Sequence, residues 1–169
     1  MAVGTYYADT IMQSPRAIHA GVQVAMGVAS TGATASTLSD IMVLCKIPHG
    51  AIVDFVSVEH NSPGSVGQTF DYGIAYPTTL DSSARPATLT GTGSDASCIA
   101  TAVAQGTVKV LTKGIPNNTG FAASTRVISA SDSAADNLRY ACLIATNQSA
   151  TPTTSVQVVG TVYYHMPPK

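Results

Sequence analysis

Three groups of residues have the types and spacings that chemistry could use. Gly91-Thr92-Gly93-Ser94-Asp95-Ala96 spells G-x-G-x-x-A, the turn whose backbone amides hold a dinucleotide pyrophosphate. That chemistry needs a buried strand before the turn and an acid about twenty residues after it, and the sequence supplies neither. Pro63-Gly64-Ser65-Val66-Gly67 comes close to the G-x-S-x-G elbow of a nucleophilic serine. Pro63 stands where the first glycine belongs, so Ser65 reads as a turn residue. His19, His49, His60 and His165 are scattered, with no H-x-H or H-E-x-x-H spacing, and the adjacent Glu59 and His60 point to opposite faces of a strand. Asp54 and Asp71 lie inside strand patterns and read as hydrogen-bonded or interface carboxylates; nothing nominates a catalytic pair. Cys45, Cys98 and Cys142 are odd in number, far apart and set in apolar stretches without a CxxC pair. They read as reduced, buried thiols made in a cytoplasm. No catalytic residue, cofactor or metal is assigned, and the chain is not expected to be an enzyme.

The composition points away from chemistry as well. Only 10% of the 169 residues are charged, against roughly 25% in an average soluble domain. The net charge is −1, which leaves no counterion-release drive for nucleic acid. A 45% hydrophobic content argues against disorder. No run approaches the ~18 apolar residues of a membrane span, and the opening MAVGTYYADTIMQSPR lacks the pattern of a signal peptide. One core suits this length, so residues 17–169 are expected to form a single domain.

Alternation of period two dominates the chain. Val22, Val24, Met26 and Val28 share one face, Phe70, Tyr72, Ile74 and Tyr76 another, and Val156, Val158, Val162 and Tyr164 a third, with Gly160 as a bulge site. Runs over 38–47 and 51–60 flank a turn at Pro48-His49-Gly50, with proline second and glycine fourth. Segments near 107–111, 125–129 and 138–146 bring the set to about eight strands. The segment 95–104 is the one helical candidate, with Asp95 to cap it and Gly106 to end it; a strand is the alternative. Residues 77–97 are long for a hairpin loop and suggest a functional or mobile elaboration. The expected fold is all-β, a jelly-roll-like antiparallel β-sandwich with an extended N-terminal arm and at most one short helix.

Two strands are apolar on both faces. Met42 and Leu44 oppose Ile41, Val43, Cys45 and Ile47, while Val53 and Phe55 oppose Ile52, Val56 and Val58. Such strands need cover on both sides, from a loop, from a register-changing bulge, or from a neighbouring subunit. Residues 1–16 stand apart from the sandwich and carry Tyr6, Tyr7, Ile11 and Met12, either as a frayed terminus or as an arm that docks on a neighbour. The candidate assembly interface is therefore Tyr6, Tyr7, Ile11, Met12, Met42, Leu44 and Phe55.

The layout also resembles a known group. A short apolar arm precedes HAGVQVAMGV and a Ser/Thr/Ala-rich loop. Then come the turn Lys46-Ile47-Pro48-His49-Gly50-Ala51, a D-x-G element at Asp71-Tyr72-Gly73, and a closing apolar strand SVQVVGTVYYHM. This is similar to the capsid decoration (cement) or minor head proteins of tailed bacteriophages, over most of the chain. The resemblance implies a jelly roll that binds the major capsid protein, often as a homotrimer, on the surface of a virion assembled in the host. It implies no catalytic residues. A tail or fibre component would share the sandwich. A carbohydrate-binding jelly roll is the rival from another class, but it needs exposed aromatic platforms, and the chain has no Trp and 6% aromatics.

Overall fold

The structure, a computed structural model, describes residues 5–7, 21–31, 35–60, 68–91, 94–104, 109–113, 140–149 and 156–166. The alternating segments become strands: β1 (Thr5–Tyr7), β2 (Gln23–Ser30), β3 (Ile41–Pro48), β4 (Ile52–His60), β5 (Thr69–Ala75), β6 (Thr79–Leu80), β7 (Pro86–Thr88), β8 (Asp95–Ala104), β9 (Lys109–Lys113), β10 (Tyr140–Asn147) and β11 (Gln157–His165). The strand expected near 125–129 lies outside the described residues, among which there is no helix.

Two sheets face each other, one ordered β1-β3-β10-β5-β8 and the other β2-β11-β4-β9. Setting aside β1 and the small β6–β7 hairpin, eight strands remain. Numbered one to eight in chain order, they run 2-7-4-5 in the first sheet and 1-8-3-6 in the second. Two sheets interleaved in this way are the double Greek key of a jelly roll. Every pairing is antiparallel except that of β1, which runs parallel to β3 at Ile41–Val43. The aromatic face read on β5 and the valine face of β11 both point into the core, where Phe70, Tyr72, Ile74, Val158, Val162 and Tyr164 are fully buried.

The two-sided strands have internal explanations. On β3, Leu143 and Ile144 of β10 sit opposite Cys45 and Val43, so Leu44 is one residue too many. That bulge reverses the alternation, and Met42, Leu44, Cys45 and Ile47 all reach the core. Met42 and Leu44 are thus core residues, not the interface residues expected. On β4, Tyr163 and Tyr164 of β11 face Phe55 and Val53, leaving Asp54 extra, and Val53 joins Val56 and Val58 inside. Val43 does point outward from β3, but it is covered. With Ala75, Cys142 and Ile144 it forms a second cluster, which Leu89 of the 77–97 elaboration closes.

That elaboration is a folded hairpin. Asp81 clasps it, its carboxylate accepting from the amides of Ser83 and Arg85 and from the Arg85 guanidinium at 2.8 Å. At its base the Gly91 amide donates to the Tyr76 carbonyl, and the Ser94 hydroxyl accepts from the Tyr76 amide. The G-x-G-x-x-A stretch therefore starts as a structural tie. Residues 95–104 are strand β8, not a helix. Between Phe70 and Tyr72 of β5 the chain of β8 advances three residues against two, and between Tyr72 and Ile74 five against two. These insertions bring Cys98 and Ile99 inside together and imitate helical spacing. The turn after β3 is shifted by one residue: Ala51 N donates to Pro48 O, so proline is first and Gly50, at φ 80°, third. Gly160 is no bulge site, being paired in register with Gly27 and Val58.

Candidate assembly surface

Among the described residues, the aspartates and histidines singled out in the strands are occupied in holding the fold; His19 and Ser65 lie outside the described residues. Asp71 Oδ1 accepts the Ala102 amide at 2.8 Å where β8 takes a positive φ of 49°. Two residues on, a β-carbon at Gly73 would stand 2.0 Å from the Asp95 carbonyl oxygen. The Asp71-Tyr72-Gly73 element therefore accommodates the irregular β8. His60 Nε2 bonds the Tyr72 hydroxyl across the sandwich and meets the rings of Phe70 and Tyr72 edge-on. His165 Nδ1 lies 2.8 Å from Asp54 Oδ2, tying the β4 bulge to β11. The three thiols are free and buried. Burial pushes Cys98 and Cys142 up to about 12 and Cys45 higher still, so they are not nucleophiles at neutral pH. Among the described residues no three His, Cys, Asp or Glu side chains stand close enough to hold a metal.

The surface is unusual on the outer face of the β2-β11-β4-β9 sheet. Ala25, Gly27 and Ala29 of β2 point inward, and Val22, Val24 and Met26 point out, the reverse of what the bulk of these side chains suggests. The cause lies in the opposite sheet. Leu44 and Leu143 reach so far across that a β-carbon at Gly160 would be 2.7 Å from each of them. The floor beneath them must be made of small residues, so the large ones turn to solvent. Register then sets Phe55, Tyr163 and Val24 side by side across three strands. Together with Val22 and Met26, these five are 37–64% exposed. Glu59, on β4 beside Val159 of β11, brings a charge toward one end, and the Asp54–His165 pair lies at the other. An exposed apolar row of this kind makes this face the candidate for a partner contact.

Of the expected interface residues, Phe55 alone is placed on this face. Tyr6 and Tyr7 belong to β1 on the other sheet, Met42 and Leu44 are in the core, and Ile11 and Met12 lie outside the described residues. Val22, Val24, Met26 and Tyr163 were not foreseen. Their signal was the Ala25-x-Gly27-x-Ala29 alternation, a row of small residues at core positions.

No protein-family model matches the chain, and no curated protein matches it in sequence. Among solved structures, a chain from the cyanophage Pam1 capsid asymmetric unit is 20% identical, covering 94% of this chain and 95% of that one, with a TM-score of 0.46. A chain from the capsid of Ralstonia phage GP4 covers 98% of this chain and 100% of its own, at 12% identity and a TM-score of 0.53. At that identity the likeness is one of fold, and it runs from end to end of both chains.

Proposed function

We propose that this chain is a virion structural protein that decorates the head of a phage, bridging neighbouring copies of the major capsid protein. The observation that carries the reading is the end-to-end structural likeness to a chain of the Ralstonia phage GP4 capsid. The exposed face around Phe55, Tyr163 and Val24 supports it, because a cement protein acts through area rather than chemistry, and charge is depleted at interface cores. A lattice of weak contacts gains further by avidity. The chain would be made in the host cytoplasm and act at the capsid surface as a homo-oligomer, for which the resemblance implies a trimer. Immunogold labelling of the source particle tests the location. Gold on the head supports the proposal, gold on the tail supports an appendage component, and unlabelled particles would sink both.

A carbohydrate-binding jelly roll is favoured by one observation, the adjacent exposed rings of Phe55 and Tyr163. Their neighbours Val22, Val24 and Met26 offer no hydrogen bonds to sugar hydroxyls, which leaves a protein partner the better fit. Binding of the isolated protein to a glycan array would reverse that order.

A further inference from the structure

The two apolar clusters differ in what covers them. The main core lies between the sheets and holds Cys45 and Cys98. The second cluster takes Val43 from β3, Cys142 and Ile144 from β10 and Ala75 from β5, all on one sheet. Its remaining member, Leu89, comes from the hairpin over residues 77–91. Among the described residues, Leu89 is therefore what closes this cluster off from water. The hairpin itself is bonded inward. Thr78 N donates to Thr88 O, Asp81 N to Arg85 O and Ala84 N to Asp81 O, and the Thr79 hydroxyl donates to that of Thr88. Its tip depends on the Asp81 clasp, because Ala84 there holds a φ of 57°, which is costly for a residue with a β-carbon. Its base is fixed: the Tyr76 ring sits in the main core, and a β-carbon at Gly91 would stand 2.8 Å from Tyr76 Cβ. Between base and tip, Pro86 and Leu89 are buried while Thr78, Thr79, Ala87 and Thr88 are exposed.

We propose that this hairpin is a strap that opens as a unit about its Tyr76–Gly91 base, uncovering Cys142 and its apolar neighbours while the sandwich stays closed. A segment that carries its own hydrogen bonds and docks through a few apolar side chains can lift away without first breaking its ladder. Units of this kind open at a free energy well below that of global unfolding. Opening leaves Val43, Ala75, Cys142 and Ile144 without their cover, with Ile41 beside them. The chain then has a second apolar surface, on the sheet opposite the one that carries Phe55, masked by its own Leu89 until the strap lifts. The device uses contacts within a single chain and does not depend on the phage head as its destination.

The three native thiols report on this opening. All are at most 1% exposed, yet Cys142 alone belongs to the cluster beneath the strap. The full chain is treated with N-ethylmaleimide at neutral pH, and peptide mass spectrometry follows each cysteine. Cys142 should be modified roughly tenfold or more faster than Cys45 and Cys98, which wait for the sandwich itself to open. Asp81→Ala removes the clasp without touching either cluster. It should speed Cys142 by roughly fivefold or more and leave Cys45 unchanged. Hydrogen exchange gives a second readout: the amides of Thr78, Asp81, Ala84 and Gly91 should exchange together, ahead of those of β10, and quicken in the variant by the same factor as Cys142. The proposal is overturned if the three thiols react at one rate in the unaltered protein. It is equally overturned if Asp81→Ala leaves Cys142 unchanged or speeds all three alike.

Discussion

Gly160 of β11 and Leu44 of β3 touch across the sandwich with no room for a methyl group between them: a β-carbon at 160 would lie 2.7 Å from Leu44 Cδ1 and 2.9 Å from its Cβ. Gly160→Ala should therefore destabilise by about 1–3 kcal/mol through overpacking. Leu44→Ala should cost about 2–5 kcal/mol through the cavity it leaves. The double variant should cost less than the sum, because the shortened side chain vacates part of the space the new methyl needs. Urea unfolding of the three variants measures this coupling, and strict additivity would show that the two positions are not in conflict.

This pair also shows where a linear reading stops. The faces of β5 and β11 were legible because each strand keeps strict alternation through its core residues. β2 alternates just as strictly, yet the strand alone does not say which of its faces turns inward, because the choice between Ala/Gly and Val/Met is made by Leu44 and Leu143 on other strands. The bulges at Leu44 and Asp54 leave no local mark: a single inserted residue reverses the face of everything after it. They turned apparent two-sided strands into ordinary ones and removed Met42 and Leu44 from the surface. In β8 the insertions were larger and imitated a helical period. The surface keeps its shortage of charge and Phe55, which now sits beside Tyr163 and Val24.

The outer face makes a prediction that separates binding from folding. Val24, Phe55 and Tyr163 lie in one exposed row, so replacing all three with serine should change stability little, since surface substitutions are usually worth within about 0.5 kcal/mol each. Binding to expanded heads, followed by co-sedimentation, should fall at least tenfold. Undiminished binding by the folded triple variant would remove this face from the proposed contact.

The buried thiols predict an alkaline limit. An unfolded cysteine ionises near its ordinary value of 9.0, whereas burial holds Cys98 and Cys142 protonated up to about 12 and Cys45 beyond that. Below pH 9 both states keep their protons, and stability from this source is complete. Between pH 9 and 12 the unfolded chain releases protons that the folded one retains, so stability falls as pH rises. Each thiol contributes a slope approaching about 1.4 kcal/mol per pH unit. The midpoint of urea unfolding should be flat from pH 7 to 8.5 and then decline. Cys45→Ala with Cys142→Ala should flatten that decline by about two thirds up to pH 10, above which buried Tyr164, also pushed up to about 12, adds its own slope; an unchanged slope would assign the alkaline loss to other groups.

The arm supplies the last test. Residues 5–7 add a parallel strand to β3 beside Ile41–Val43, at the rim of a core that, among the described residues, is built from Ala25 onward. Deleting residues 1–16 removes the three-residue ladder of β1 and none of the side chains that form the core among the described residues, so the truncated protein should fold and keep a cooperative thermal transition. It uncovers the β3 edge, which should raise its tendency to self-associate at high concentration. If the arm with Tyr6, Tyr7, Ile11 and Met12 also reaches a neighbour in the assembled particle, the truncated chain should bind expanded heads more weakly while remaining the same oligomer in solution. Equal head binding by the two proteins would confine the arm to its own sheet and leave the β2-β11-β4-β9 face to carry the attachment.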